Sequence, residues 1–520
     1  MPDILLSTLN AKFIHASFGL RYLMANLGDL QSRAEIAEFE IKQTPLEIVE
    51  ALLARQPSII GLGVYIWNAR PTLEVVSLLK RIRPQIRIVL GGPEVSYETE
   101  SQEIVALADH TITGEADVAF ADLCRTLLQS PAPTTPPPRI LHAPLPDLTQ
   151  LRLPYAHYTA QDIAHRVLYI EASRGCPFTC EFCLSSLDIP VRQFPLEKFL
   201  ASLEDLLQRG ARQFKFVDRT FNLNLTVSRA ILRFFRERWR EGLFLHFEMI
   251  PDRLPEALRE EIAWFPAGAV QLEIGIQSFN PEVCALISRR QDLDRTADNF
   301  RFLRGSTGVH LHADLIIGLP GETLDSFGAG FDRLISLGPQ EIQVGILKRL
   351  RGTPIIRHDD PWAMRYSPMP PYEILENRLL DFPTVQRLRR FARYWDLVAN
   401  SGRFTLSLPL IWAGESSPFH RFLAFSDWLH AHLRQTHAIA HDRLAQALLR
   451  WLIDQAGVAQ PIATEAMAED WRRLGRRDLP EWLNGMVTSI PREPRTPSSS
   501  IPTRQSRHLR TEPGPRTIDS

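Results

Sequence analysis

Short apolar runs alternate with amphipathic helical segments along the first 120 residues of the chain. Runs with the length and composition of buried strands lie at Ile4 to Ser7, Ile36 to Ile41, Ile59 to Tyr65, Ile86 to Leu90 and Thr111 to Thr113. Segments with helical periodicity, such as 45–55 and 70–83, separate them. This alternation predicts an α/β fold with a doubly wound, Rossmann-like parallel sheet over residues 1–130.

A second series of strand-like runs begins after residue 150. The runs lie near Val167 to Glu171, Gln213 to Val217, Leu245 to Met249, Val270 to Gly275, His310 to Ile317 and Ile342 to Ile346. Helical segments such as 196–209 and 227–241 lie between them. Six strand–helix units in this length predict a partial (β/α)6 barrel of the TIM type over residues 151–356, with its chemistry at the carboxyl ends of the strands.

Changes in composition mark the remaining boundaries. Proline is concentrated in two short stretches, which together hold 13 of the 39 prolines of the chain. The first stretch predicts a linker over residues 131–150. The second is also rich in Ser, Arg and Thr and predicts a disordered tail over residues 489–520. Residues 357–488 have helical periodicity and predict a mostly α C-terminal domain.

The charge balance and the apolar runs narrow the class of protein. With 59 basic against 60 acidic residues, there is no electrostatic case for a nucleic acid or an anionic membrane as a partner. No apolar run approaches the length of a membrane span, and the start of the chain, Met1-Pro2-Asp3, lacks the basic residues of a secretory signal. Five cysteines in 520 residues do not make a disulfide framework. We therefore expect a cytoplasmic protein.

Three of the cysteines, Cys176, Cys180 and Cys183, lie within eight positions after the first strand of the predicted barrel. Spacings of three and two residues allow one loop to direct three thiolates at a [4Fe-4S] cluster, and three ligands leave one iron open. An open iron can chelate S-adenosylmethionine (SAM) and pass an electron to its sulfonium group. The alternatives are a structural zinc ion, for which no second Cys pair is present, and three buried cysteines without a ligand role.

The segment from Ser173 to Cys183, which reads Ser-Arg-Gly-Cys-Pro-Phe-Thr-Cys-Glu-Phe-Cys, resembles the radical SAM superfamily. The segments Phe216 to Asn222, Glu273 to Ser278 and Asp314 to Glu322 extend the resemblance through the barrel in order. More narrowly, the chain resembles members with an N-terminal cobalamin-binding domain and an uncharacterised helical C-terminal domain. The resemblance covers nearly all of the chain except the tail.

The resemblance implies that residues after the second barrel strand lie near the methionine part of SAM. This makes Asp218 a candidate partner for an ammonium group, with a turn cap as the alternative. On the fourth strand, Glu273 and Gln277 share a face and Ser278 begins the next loop, so all three are candidates for binding the cofactor. A buried Glu273 could instead pair with an arginine.

Three polar residues of the fifth barrel strand, His310, His312 and Asp314, also share a face. They either position a substrate or hydrogen-bond to one another, because buried polar groups need partners in either case.

The loops that follow the strands of the first sheet resemble the cobalamin-binding half of such enzymes. The cofactor candidates there are His15, Gly91, Gly92, Glu94, Gly114 and Glu115. Glycines at strand ends allow the backbone to approach a large flat ligand. The DxHxxG signature that supplies a histidine to cobalt is absent, so loop packing is the alternative role of His15. The resemblance implies that cobalamin can bind without that ligand.

These features predict a cobalamin-dependent radical SAM enzyme that cleaves SAM at a [4Fe-4S] cluster to act on an unactivated carbon, with C-methylation as the main hypothesis. One alternative is a cobalamin-associated radical rearrangement or cyclisation without methyl transfer, and another is a non-catalytic metal-binding scaffold. The chemistry requires an external electron donor such as flavodoxin or ferredoxin. No motif identifies the substrate, and no residue is assigned a catalytic role.

Overall fold

The structure, a computed structural model, describes residues 1–129, 135–475, 478–487 and 503–509. The chain divides into two compact units. Unit 1 comprises Met1–Arg219, Lys348–Pro354 and Ser367–Glu373, and unit 2 comprises Thr220–Leu347, Ile355–Tyr366 and Ile374–Ser520. Both units contain parallel strands alternating with helices, which confirms the predicted α/β class.

Unit 1 begins with a six-stranded sheet that is parallel in every pair and has the strand order β2-β1-β3-β4-β5-β6. Its elements are β1 (Ile4–Asn10), α1 (Phe18–Asn26), β2 (Ala34–Glu40), α2 (Pro45–Leu53), β3 (Ile59–Gly63), α3 (Ala69–Ile82), β4 (Arg87–Gly91), α4 (Glu103–Leu107), β5 (His110–Thr113), α5 (Ala119–Leu127) and β6 (Ile140–His142). The doubly wound sheet predicted from the apolar runs is thus confirmed.

The alternation of side chains along β1 explains why helices cover both faces of this sheet. All seven residues of β1 are buried. Leu5 and Leu9 join the core beneath α2, α3 and α4, whereas Ile4 and Leu6 join the core beneath α1 and α5. Each such buried side chain stabilises the fold by roughly 1.5–3 kcal/mol relative to an exposed one.

The predicted linker 131–150 contains a strand that the proline content obscured. β6 adds to the edge of the sheet, where Thr111, Ile112 and Thr113 pair with Ile140, Leu141 and His142. Residues 130–134 lie outside the described part of the chain. Proline at the edge of a sheet is tolerated because its missing N–H faces away from the ladder, so a proline-rich stretch can still supply an edge strand.

The remainder of unit 1 holds the first part of the predicted barrel. Its elements are α6 (Ala160–His165), β7 (Leu168–Ile170), β8 (Ser173–Arg174), β9 (Arg192–Gln193), α7 (Leu196–Gln208) and β10 (Gln213–Phe216). β10 pairs with β7 in parallel, and β8 pairs with β9 in an antiparallel ribbon.

Unit 2 holds the later barrel strands and the helical C-terminal region. In order, its elements are α8 (Leu225–Glu237), β11 (Phe244–Met249), α9 (Glu256–Ala263), β12 (Val270–Gln277), α10 (Pro281–Leu286), α11 (Leu293–Ser306), β13 (His310–Ile317), α12 (Leu324–Leu337), β14 (Glu341–Ile346), β15 (Arg365–Tyr366), β16 (Ile374–Glu376), α13 (Phe382–Val398), α14 (Pro418–Leu433), α15 (His441–Asp454), α16 (Gln460–Arg473), α17 (Glu481–Asn484) and α18 (Thr503–Leu509). β11, β12, β13 and β14 are parallel neighbours in that order.

Aromatic side chains form the core of the C-terminal helices. Phe391 and Trp395 of α13 pack on Phe331 of α12 and on Phe419 and Phe422 of α14, with ring centroids 4.8–5.3 Å apart in the closest pairs. Such edge and tilted contacts add to the burial of large apolar surfaces. The predicted mostly α character of this region is confirmed. None of the described helices is both long and apolar enough to span a membrane.

Helix α18 departs from the disorder predicted for residues 489–520. The Arg504 side chain binds the carboxylates of Glu341 at 2.7 Å and Asp396 at 2.8 Å. Glu341 is 3% exposed, so the guanidinium satisfies a buried charge that composition alone could not reveal. The rest of the predicted tail lies outside the described residues.

A buried cluster of charges connects the first sheet of unit 1 to α6. The guanidinium of Arg21, 3% exposed, lies 3.0 Å from Glu38 of β2 and 2.9 Å from Asp162 of α6. Arg166 also binds Glu38, at 2.7 Å. Burial alone would raise the pKa of Glu38, but Arg21 and its hydrogen bond outweigh it and hold that pKa below its ordinary value.

Replacing Arg21 by Met is expected to destabilise unit 1 by about 3 kcal/mol, because two buried carboxylates lose a partner. Urea unfolding at pH 7 measures the change. Arg33→Met is the control, because Arg33 is 46% exposed in its pair with Asp3 and its loss should leave the midpoint almost unchanged. Equal effects of the two substitutions would contradict a special contribution of the buried cluster to stability.

Candidate functional site

The three cysteines lie in one loop that is closed by a short β-ribbon. Ser173 pairs with Gln193 and Arg174 with Arg192, and we call the segment between these pairs the cluster loop, residues 175–191. The Cys176 N–H donates to the carbonyl oxygen of Asp188 at 2.9 Å, near the far end of the loop. All three cysteines therefore belong to a single closed segment.

Gly175 is required at the closure of this loop. Its φ angle is +93°, a conformation that side chains disfavour. An added Cβ would lie 2.7 Å from the carbonyl oxygen of Asp188 and 2.8 Å from that of Pro190. The motif glycine thus allows the two ends of the loop to approach closely.

The thiols are partly withdrawn from water. Cys176 and Cys180 are 9% and 7% exposed, and Cys183 is half-buried. Burial is the main cause that raises the pKa of Cys176, and the nearby Cys183 and Cys180 raise it further. Thiolates that repel one another in a buried loop fit a cationic iron–sulfur group, which would stabilise all three.

No group of three or more His, Cys, Asp or Glu side chains suited to holding a metal ion occurs within the described residues. The cluster assignment to Cys176, Cys180 and Cys183 therefore rests on their spacing, their common loop and their mutual electrostatic effect. The assignment stays a prediction on these grounds.

Asp218, at the end of β10, holds the residues that precede the cluster loop. Its oxygens accept hydrogen bonds from the Ala172 N–H at 3.0 and 3.1 Å and from the Ser173 hydroxyl at 2.6 Å. The residue is 4% exposed, and burial raises the pKa of its carboxyl group to about 7 despite these bonds. These partners lie 46 and 45 positions away in sequence, so the contacts are not those of a local turn cap, and binding of the SAM ammonium group stays a prediction.

Arg174, the arginine of the cysteine motif, binds three carboxylates of unit 1. Its guanidinium lies 2.6 Å from Glu115, 2.9 Å from Asp117 and 2.8 Å from Glu171. Burial opposes the charge, but Glu171 and Asp117 outweigh it and raise the pKa of Arg174. Glu115, predicted to contact a corrin ring, is thus committed to an ion pair within the protein.

The predicted glycine positions of the first sheet lie at its carboxyl edge. Gly92 has φ +108°, and an added Cβ would lie 2.5 Å from the carbonyl oxygen of Val64. Gly114 has φ +80°, whereas Gly91 closes β4 with room for a Cβ. Of these three positions, Gly92 and Gly114 need glycine for backbone reasons.

Glu94, also predicted to bind cobalamin, is 6% exposed and has partners from a later part of unit 1. It accepts hydrogen bonds from the Tyr372 hydroxyl at 2.6 Å and from Arg351 Nε at 3.0 Å. The carboxylate ties the loop after β4 to two residues more than 250 positions away in sequence.

His15 packs within unit 1, in agreement with the loop-packing role that was the alternative to cobalt binding. Its Nδ1 lies 2.6 Å from the Tyr169 hydroxyl, and its backbone forms a parallel bridge with Val167. Burial is the main cause that lowers the pKa of His15, with Lys12 and Lys215 adding to it. A neutral imidazole that is hydrogen-bonded in this way has a structural role already.

An aromatic surface lies at the same edge of the first sheet, formed by residues that are not among the predicted cofactor candidates. The rings of Tyr65 and Trp67, which follow β3, are stacked with centroids 4.5 Å apart and planes 7° from parallel. Trp67 is 48% exposed, Phe13 after β1 is 41% exposed, and Val118 after β5 is 48% exposed. Apolar residues directly after strands are the sequence signal for such a surface, because ligands of parallel sheets bind at these strand ends.

In unit 2, the predicted residues of β12 have protein partners. Glu273 binds His246 of β11 at 2.8 Å, a partner that the sequence analysis did not name. Gln277 has φ +72° beside an irregularity in the pairing with β13. The Ser278 hydroxyl donates to Glu322, and burial raises the pKa of that glutamate. Their roles in cofactor binding stay predictions.

The polar residues of β13 do not pair only with one another. His310 Nε2 lies 3.0 Å from Glu341 of β14, and His312 Nε2 lies 3.5 Å from Asp314 on the same strand. Burial is the main cause that lowers the pKa of His312. The His310 bond goes to a neighbouring strand, and the 3.5 Å approach of His312 to Asp314 lacks hydrogen-bond geometry, so both predicted roles of these three residues stay predictions.

Three family models match the chain in order. The B12 binding domain matches residues 5–124, the radical SAM superfamily matches residues 170–334, and a protein of unknown function (DUF4080) matches residues 360–497. The domain order implied by the resemblance is confirmed.

Curated relatives are similar over somewhat more than half of this chain. "Cobalamin-dependent radical SAM methyltransferase TokK" of Streptomyces tokunonensis is 26% identical over 56% of this chain and 47% of the relative. "Uncharacterized methyltransferase PH0819" of Pyrococcus horikoshii is 25% identical over 60% of this chain and 71% of the relative. A "2-(S-pantetheinyl)-carbapenam-3-carboxylate methyltransferase" of Streptantibioticus cattleyicolor is 24% identical over 55% and 46%. The chain thus spans about half the length of the first and third of these relatives.

Solved structures show the same fold at low sequence identity. The radical S-adenosylmethionine methyltransferase TsrM from Kitasatospora setae, with tryptophan and a SAM analogue bound, has a TM-score of 0.58 and 16% identity over 73% of this chain and 80% of TsrM. Its structure with cobalamin and a [4Fe-4S] cluster has a TM-score of 0.55 and 17% identity over 71% and 82%. At such identities the likeness concerns the fold alone.

Asp218→Asn is expected to flatten the dependence of stability on pH between about pH 4 and 7. The folded chain keeps a proton on Asp218 that the unfolded chain releases, so the free energy of unfolding of the native sequence falls as pH rises through this window. The contribution is on the order of 4 kcal/mol. Chemical unfolding at several pH values measures it. Asp122→Asn, at a 66% exposed carboxylate of α5, is the control. An unchanged slope in Asp218→Asn would rule out titration at this site.

Proposed function

We propose that this chain, which belongs to the radical SAM superfamily and carries an N-terminal B12 binding domain, is a cobalamin-dependent enzyme that methylates an unactivated carbon of its substrate. The observation that carries the proposal is the closed loop that holds Cys176, Cys180 and Cys183. The similarity to TokK and to the carbapenam methyltransferase, both named as methyltransferases, supports methyl transfer.

The three thiolates would bind three irons of a [4Fe-4S] cluster and leave the fourth for SAM. When bound, these groups supply a radical that removes a hydrogen atom from the substrate, and cobalamin supplies the methyl group. The protein contributes a fixed loop, because Gly175 allows closure and Asp188 holds the Cys176 backbone. The partial burial of the thiols reduces their contact with water.

The carboxyl edge of the first sheet fits a large, flat, mainly apolar ligand. Gly92 lets the backbone lie close to Val64, and Trp67 and Phe13 expose aromatic surface at the same edge of the sheet. His15 is hydrogen-bonded to Tyr169, so we propose that cobalamin binds at this edge without a cobalt ligand from His15.

The partners and the compartment are part of the proposal. Cleavage of SAM needs one electron, which a flavodoxin or a ferredoxin would supply. None of the five cysteines, all of which the structure describes, is in a disulfide. This supports a cytoplasmic enzyme, since disulfides are rare in that compartment. The substrate stays unidentified.

Cys176→Ala is expected to abolish both the cluster absorbance and the cleavage of SAM after anaerobic reconstitution, because two thiolates cannot retain the cluster. Cys124→Ala, which removes a thiol from the core of the first sheet, is the matched control and should retain both signals. Cleavage of SAM by Cys176→Ala would refute the assignment.

His15→Ala is expected to bind cobalamin with the same electron paramagnetic resonance (EPR) spectrum of cob(II)alamin as the native sequence, because His15 does not reach cobalt. Trp67→Ala is the comparison at the same edge and should weaken binding about tenfold through loss of apolar contact. If a nitrogen splitting of the native spectrum disappeared in His15→Ala, His15 would be a cobalt ligand after all.

A further inference from the structure

Both arginines of the ribbon that closes the cluster loop bind the same carboxylate. Arg174 and Arg192 are cross-strand partners, and each guanidinium contacts Glu115 in the loop after β5. Arg192 also lies 3.1 Å from Asp188, whose carbonyl oxygen accepts the N–H of Cys176. Two ion pairs that share Arg192 therefore connect Glu115 to Asp188, the residue that binds the backbone of the first cysteine.

A second carboxylate of the same loop strengthens this link. Asp117 accepts hydrogen bonds from Arg174 at 2.9 and 3.2 Å, and its side chain is only 7% exposed. The Arg174 guanidinium also lies over the Tyr22 ring, 4.5 Å from its centroid. Breaking buried ion pairs of this kind costs free energy. We therefore expect the loop after β5 to stay attached to the ribbon.

The same β5 loop is hydrogen-bonded to the loop after β4. The Gly114 N–H donates to the Ser96 hydroxyl oxygen at 3.2 Å, and the Ser96 hydroxyl donates to the Gly92 carbonyl oxygen at 2.9 Å. We call residues 91–98 and 114–117 together the corrin edge. A continuous series of contacts thus runs from Gly92 through Ser96 and Glu115 to the cluster loop.

We propose that the corrin edge and the cluster loop form one hydrogen-bonded unit, so that cobalamin and the iron–sulfur cluster bind cooperatively, with Glu115 as the positioning residue between them. This rests on the proposed function for the identity of the two ligands. A ligand that orders one loop reduces the entropy lost when the other is ordered, and by linkage the two effects are equal.

The test compares the affinity of the full chain for hydroxocobalamin with and without a reconstituted cluster. The native sequence should bind cobalamin at least about fivefold more tightly with the cluster present. In Glu115→Gln, which keeps the shape of the side chain and removes its charge, the ratio of the two dissociation constants should fall to about one. Asp122→Asn, an exposed carboxylate on the following helix, should keep the native ratio.

The ratio separates coupling from a simple contact. If Glu115 only touched the corrin, Glu115→Gln would weaken both affinities equally and keep the ratio, which would overturn the proposal. The EPR spectrum of the reduced cluster is a second measurement: cobalamin should change it in the native sequence and not in Glu115→Gln. Should Glu115→Gln fail to fold, Arg192→Gln leaves the Arg174 pairs in place and should reduce the ratio.

Failure of the proposed function would have a different signature. A native chain that takes up no cobalamin, or no cluster, refutes the proposed function and this proposal with it. A native chain that binds both, each with an affinity independent of the other, refutes only the coupling.

Discussion

The close approach of two backbone segments at Gly175 determines how the cysteine motif can act. With the carbonyl oxygens of Asp188 and Pro190 less than 3 Å from the position of a Cβ, only glycine permits the loop to close. In the closed loop, the Cys176 N–H donates to the Asp188 carbonyl oxygen, and Arg174 pairs with Arg192 across the ribbon. The positions of the thiols and of both arginines follow from this one steric constraint.

Two kinds of carboxylate hold this loop, and their electrostatics differ. Asp218 accepts hydrogen bonds from neutral donors, Ala172 N–H and the Ser173 hydroxyl, so burial dominates and its pKa rises. Asp117 instead forms an ion pair with the Arg174 guanidinium, at 2.9 Å. The first anchor depends on shape and hydrogen bonding, and the second depends on charge.

The sequence predicted the elements of both sheets well, because long apolar runs separated by helical periodicity leave few alternatives for a parallel α/β fold. It also placed the cysteines in one loop, since their spacing is local. Contacts between residues that are distant in sequence could not be predicted. The position of Glu94 and Glu115 at strand ends indicates an edge where ligands bind. It does not reveal that Tyr372 already binds Glu94 and that Arg192 already binds Glu115. The edge strand β6 and helix α18 were missed because composition describes a segment only on average, whereas Arg504 of α18 binds specific distant partners such as the buried Glu341.

Several polar side chains at the carboxyl edge of the first sheet already bind other residues of unit 1, which limits the kind of ligand that this edge can bind. Glu94 and Glu115 are each paired with arginine, and His15 is hydrogen-bonded to Tyr169. What these residues leave for a ligand at the carboxyl edge is the exposed surface of residues such as Trp67 and Phe13. Such a surface offers dispersion and apolar contact rather than a fixed charge or a metal ligand. A large, mainly apolar macrocycle would suit this surface better than a small charged cofactor would.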